Sequence, residues 1–89
     1  MSKTIYKIPI DLDTSGFHLP GGERVLSVQY QGDQLSLWAE CDPEKPPKLV
    51  EICVIGTGHP CPDEKFSYFD TVLDPIGPLV WHIYLTEFG

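Results

Sequence analysis

Val25-Leu26-Ser27-Val28-Gln29-Tyr30-Gln31, then Gly32-Asp33, then Gln34-Leu35-Ser36-Leu37-Trp38-Ala39-Glu40 is the stretch that decides the fold class. Side chains of a strand alternate between two faces, so period-two apolar patterning marks a half-buried strand. Leu26, Val28 and Tyr30 share one face of the first run; Leu35, Leu37 and Ala39 share one face of the second. A two-residue glycine-containing turn between such runs is a strong hairpin signal. Trp38 alternates with Ser36 and Glu40 and falls on the less buried face, where it could cover a ligand, meet a partner subunit or belong to a second small core.

The pattern continues on both sides. Residues 4–10 form a strand with Tyr6, Ile8 and Ile10 together, and Pro9, which cannot donate to a ladder, assigns it to a sheet edge or strand end. Residues 11–24 carry Gly16, Pro20, Gly21 and Gly22 and read as a loop, with Phe17 and Leu19 tucked onto the core. The prolines of 41–48 exclude regular structure. Leu49–Ile55 is a nearly continuous apolar run, broken by Glu51 and dominated by valine and isoleucine, and reads as a central strand. Phe66–Val72 and Leu79–Leu85 are further strands, the last with Leu79, Trp81, Ile83 and Leu85 on one face and Val80, His82 and Tyr84 on the other. Residues 61–65 allow a short helix or a turn. The expectation is one all-β domain over residues 1–89, a small antiparallel sandwich or open barrel of about six strands.

Composition narrows the function. The chain has 89 residues, room for one domain with a modest core. Thirteen acidic against six basic residues give a net charge of −7, which argues against duplex nucleic acid as a partner, because that role needs concentrated lysine and arginine. An acidic surface serves solubility, or docking on a basic partner. No stretch is long and apolar enough to span a bilayer as a helix, and the first residues lack the apolar core of a signal peptide. Cys41, Cys53 and Cys61 are an odd set, which points to reduced thiols in a cytoplasm. Unsealed sheet edges and a small core favour a homo-oligomer.

Gly56-Thr57-Gly58-His59-Pro60 stops the buried run sharply. Glycines let a ligand approach the main chain, and successive amides can form an anion-binding nest. Thr57 adds a hydroxyl and His59 a ring donor, a set that suits a phosphate or ribose phosphate. The same residues also serve a plain tight turn capped by His59. His82 and Tyr84 share a face of the last strand; Trp38, Trp81 and Tyr84 offer flat rings for a base. The candidate ligand-binding set is therefore Gly56, Thr57, Gly58, His59, His82, Trp38, Trp81 and Tyr84. There is no Cys-x-x-Cys pair and no helical histidine pair, so no metal is expected. No nucleophile elbow or paired-carboxylate signature is present, so neither catalytic residues nor a cofactor are expected.

Several segments in order resemble a family of short proteins of unknown function found mainly in bacteriophage and prophage genomes. They are Ile5–Ile10, Leu19–Gly22, Val25–Gln29, Leu35–Ala39, Asp42-Pro43, Ile55–Pro60 and Leu79–Ile83, of which Gly-Thr-Gly-His-Pro and Leu-Val-Trp-His are the most specific. Cys61 stands where that family's pattern often has an aliphatic residue, which weakens a metal or thiol role for it. The resemblance implies a phage-encoded protein in the host bacterial cytoplasm and supplies no activity. In that setting the candidate site points to sequestration of a nucleotide-derived immune signal, of the cyclic nucleotide or cyclic ADP-ribose type, without cleavage. The alternatives are an acidic inhibitor of a host protein and a virion assembly component; a small hydrolase using His59 and His82 is the enzymatic alternative.

Overall fold

The structure is a computed structural model that describes residues 3–86. Seven strands follow one another: β1 (Thr4–Pro9), β2 (Gly16–Leu19), β3 (Gly22–Gln31), β4 (Gln34–Cys41), β5 (Lys48–Gly56), β6 (Ser67–Leu73) and β7 (Val80–Leu85). They build two antiparallel sheets, β1-β4-β3 and β2-β5-β7-β6. Leu19, Val28, Leu35, Leu37 and Ala39 pack in one cluster with Val50, Ile52, Val72, Ile83 and Leu85, so both sheets share one core. The domain measures 43 × 31 × 16 Å, a thickness that fits two layers about 10 Å apart. It is an open sandwich, not a closed barrel.

The decisive hairpin forms as the alternation requires: Gln31 pairs with Gln34 across Gly32-Asp33. Gly32 has φ +63° and no non-glycine residue among the described residues has positive φ, the II′ pattern that suits strand twist. β1 lies at a sheet edge, as Pro9 indicates, and β5 lies inside its sheet.

Three sequence expectations are corrected. The segment 11–24 is not all loop: Phe17 and Leu19, two residues apart, form β2 against Val50 and Lys48, and β3 starts already at Gly22, which raises the strand count from about six to seven. Leu26 does not face inward with Val28 and Tyr30. The register of β3 shifts between Val25 and Ser27, which turns Val25 onto the core and leaves Leu26 37% exposed. Leu79 precedes β7 and is 52% exposed, so it does not share the buried face of Trp81, Ile83 and Leu85. Of the two alternatives for residues 61–65, the turn is the one found, at residues 64 and 65.

Burial raises the Cys41 thiol and the Tyr30 phenol above their ordinary values of 9.0 and 10.0, Tyr30 with help from the Asp74 charge. The folded chain therefore holds these protons more tightly than the unfolded one. Stability should be intact below about pH 9 and fall as the pH rises through the raised values. Urea midpoints measured from neutral pH to about pH 10.5 should decline only in that alkaline window, and Tyr30→Phe should flatten its upper part.

Candidate functional site

β5 ends at Gly56, where Thr57 and Gly58 form a turn closed by the His59 amide donating to the Gly56 carbonyl, 3.1 Å. Gly58 has φ +93°, as the third position of a type II turn requires. That turn consumes only its fourth amide. Gly56 pairs with Trp81 on β7. A Cβ at Gly56 would come within 3.2 Å of the His59 ring and 3.3 Å of the Trp81 ring. Two rings thus pack close over the Gly56 backbone, and a side chain there would have to move one of them by a few tenths of an ångström.

Trp81 is held from behind. Its indole N–H donates to Asp74 Oδ2 at 3.2 Å, while Asp74 Oδ1 accepts the Ile76 amide at 2.9 Å. One carboxylate therefore ties the β6–β7 turn to the ring. Around the ring lies a hollow of about 310 Å³ lined by Gly56, Thr57, His59, Pro78, Leu79, Val80 and Trp81. Its size is at the lower end for small-molecule sites, and its walls are mostly apolar with polar groups at the turn.

The outer face of the four-stranded sheet carries a polar chain that ends at this hollow. The register of β6 shifts between Tyr68 and Asp70, so Tyr68 and Thr71, three apart, come onto one face. Tyr68 Oη and Thr71 Oγ1 share a hydrogen bond of 2.7 Å; Thr71 Oγ1 and His82 Nδ1 share one of 3.1 Å; His82 Nε2 and Thr57 Oγ1 share one of 2.8 Å. Both ring nitrogens of His82 are engaged, so it acts on the hollow through Thr57. Beside this chain the Tyr84 hydroxyl donates to Cys61 Sγ at 3.8 Å, and that bond is the main cause that lifts the Tyr84 phenol above its ordinary range.

The candidate residues therefore divide. Gly56, Thr57, His59 and Trp81 surround one hollow, with Gly58 in the turn between them. His82 joins through Thr57. Tyr84 sits two residues beyond His82, edge-on to Tyr68 at 5.7 Å, outside the lining. Trp38 belongs to the other sheet, paired with Lys7 and Ser27, and is not brought to this hollow. Sequence reading missed Asp74, Thr71 and Tyr68. Asp74 lies between two strands in a segment with no chemical motif of its own, and the Tyr68–Thr71 pairing depends on a bulge that period-two counting does not reveal.

Two other hollows exist among the described residues. One of about 340 Å³ lies between β3 and β6, lined by Arg24, Val25, Tyr68, Phe69 and Leu85 among others; one of about 310 Å³ lies along Gln29, Tyr30 and Asp70–Leu73. The hollow at Trp81 is the most enclosed of the three. No group of three or more His, Cys, Asp or Glu among the described residues could hold a metal ion. All three cysteines are free thiols.

A family model described as a domain of unknown function (DUF7352) matches residues 1–88. No curated protein and no solved structure matches the chain.

Proposed function

We propose that this chain, which belongs to the DUF7352 family of domains of unknown function, is a non-catalytic binding protein for a nucleotide-derived small molecule. The observation that carries the reading is the convergence of the Gly56–His59 turn and the Trp81 ring on one hollow. A base stacks on Trp81, and donors at the turn meet the phosphate: main-chain amides, the Thr57 hydroxyl and the His59 ring. Such a site holds a ligand without cleaving it, which suits sequestration of a cyclic nucleotide or cyclic ADP-ribose type signal. The setting that completes the proposal is a phage-encoded protein in a bacterial cytoplasm, working as a homo-oligomer.

The test is thermal unfolding of the purified protein with cyclic mono- and dinucleotides and cyclic ADP-ribose at millimolar concentration. A ligand at a hundredfold excess over its Kd adds about 2.7 kcal/mol, so a shift of roughly 10–20 °C is expected for a domain this small. The ligand recovered after denaturation should be chemically unchanged. A flat response across the panel contradicts the proposal, and recovery of a cleaved product contradicts its non-catalytic part.

A second reading has its own observation. Leu73 and Ile76 in and beside the β6–β7 turn are 72% and 75% exposed on a segment that Asp74 holds rigid. Exposed apolar groups on a rigid support suit docking on a protein, so the acidic chain would inhibit a basic host protein. Binding of one host protein that weakens with salt, is lost in Ile76→Asp and ignores nucleotides would favour it.

A further inference from the structure

We propose that the Trp81 hollow selects an isolated phosphodiester, which places a single negative charge at the turn, over nucleotides that end in a phosphate monoester or carry a pyrophosphate, which place two charges together. This narrows the ligand class of the site described under Proposed function and rests on that reading. The argument starts from where the positive charges are. The chain has six lysines and arginines, and all six lie in the described residues. Lys3, Lys7 and Arg24 belong to the three-stranded side, with Lys3 and Arg24 both facing Glu40 at 3.6 and 3.8 Å. Lys45 pairs with Glu23 at 3.1 Å. Lys48 begins β5, the end opposite Gly56, roughly 26 Å away at about 3.3 Å per residue. Lys65 is bound to Glu51 at 3.1 Å, roughly 16 Å up the same strand from Gly56 by the same spacing.

No lysine or arginine therefore lines the hollow, and the donors that do are neutral groups or histidine. The nearest fixed charge is of the wrong sign: the Asp74 carboxylate, at 3.2 Å from the Trp81 indole nitrogen. A phosphate monoester carries about −1.5 to −2 at neutral pH, with a second pKa near 6. Its second charge would enter a partly dry site beside a carboxylate, in a protein of net charge −7, with no cation to offset it. A diester presents a single charge, spread over two oxygens, which main-chain amides and a hydroxyl can satisfy. Adjacent phosphates of a pyrophosphate bring the same excess as a monoester.

The experiment is calorimetric titration at about pH 7.5 with matched sets sharing one base: the 3′,5′-cyclic nucleotide, the 5′-monophosphate and the neutral nucleoside, for adenine and for guanine, together with cyclic ADP-ribose. The cyclic nucleotide is expected to bind at least tenfold tighter than the matched monophosphate. Repeating the pair at about pH 5.5, where the monoester loses most of its second charge, should shrink that ratio. Leu79→Lys, at an exposed rim position, should raise monophosphate affinity and erode the selection. A matched monophosphate or cyclic ADP-ribose that binds within tenfold of the cyclic nucleotide overturns this inference and leaves the binding site standing. Absence of binding by every compound overturns the site itself.

Discussion

Leu37→Ala is expected to remove about 3–4 kcal/mol of folding stability. Leu37 has no exposed surface and sits in β4, the middle strand of the three-stranded sheet, opposite Ile8 on one side and Val28 on the other. Removing its branched end leaves a cavity in a layer that strands on both sides hold in place, so collapse can repair little of it. Small domains have on the order of 5–15 kcal/mol in total, and this chain is small. A loss of that size should lower the urea midpoint by a third or more without changing the slope of the transition. A change below about 1 kcal/mol would mean that the two sheets do not share the core described above.

Gly21→Ala is expected to cost about 2–5 kcal/mol, from a left-handed backbone and from overpacking. Gly21 has φ +50°, and a Cβ there would stand 2.1 Å from the Asp42 carbonyl oxygen and 2.7 Å from Lys45 Cβ. The obstacle is backbone, so no rotamer relieves it. The same residue donates its amide to the Pro46 carbonyl at 3.0 Å and accepts the Asp42 amide at 3.1 Å. It clasps the link between β2 and β3 to the proline-rich loop between β4 and β5. Gly32→Ala is the comparison, since its Cβ would meet nothing within 4 Å and only the backbone conformation is strained. Unfolding curves of the two variants should differ by more than about 1 kcal/mol, and equal curves would remove the clasp from the account.

These two residues show how the chain could and could not be read from its letters. Leu37 was legible because Leu35, Leu37 and Ala39 repeat at the strand period beside a two-residue turn. Gly21 was legible only as a breaker, and the segment around it read as a loop. Phe17 and Leu19 carry the strand signal there, but a four-residue strand that starts at a glycine and is followed by a proline is too short for alternation to stand out. Leu26 was misplaced for a different reason: a register shift leaves no mark in a local pattern, because the extra residue is defined by the partner strand.

The candidate site divides along the same line. Gly56, Thr57, Gly58 and His59 are contiguous, and glycines at the end of a buried run announce a turn. Trp81 joins them because β5 and β7 are neighbours, which follows from topology and not from spacing. Trp38 looked equivalent by exposure and ring type, yet it lies in the other sheet. Asp74 acts through both carboxylate oxygens, one on a loop amide and one on the indole, and no spacing rule predicts that double use.

Placement of the two tryptophans gives the most direct test of the central claim, that ligand is held where the Gly56–His59 turn meets Trp81. Trp38→Phe and Trp81→Phe each leave one indole as the emitter. Titrated with the cyclic nucleotide that produces the largest thermal shift, the Trp38→Phe protein should keep the wild-type fluorescence change and affinity. The Trp81→Phe protein should lose the fluorescence change and bind at least tenfold more weakly. Persistence of the signal and affinity in Trp81→Phe, with their loss in Trp38→Phe, would contradict the account and move the site to the three-stranded sheet.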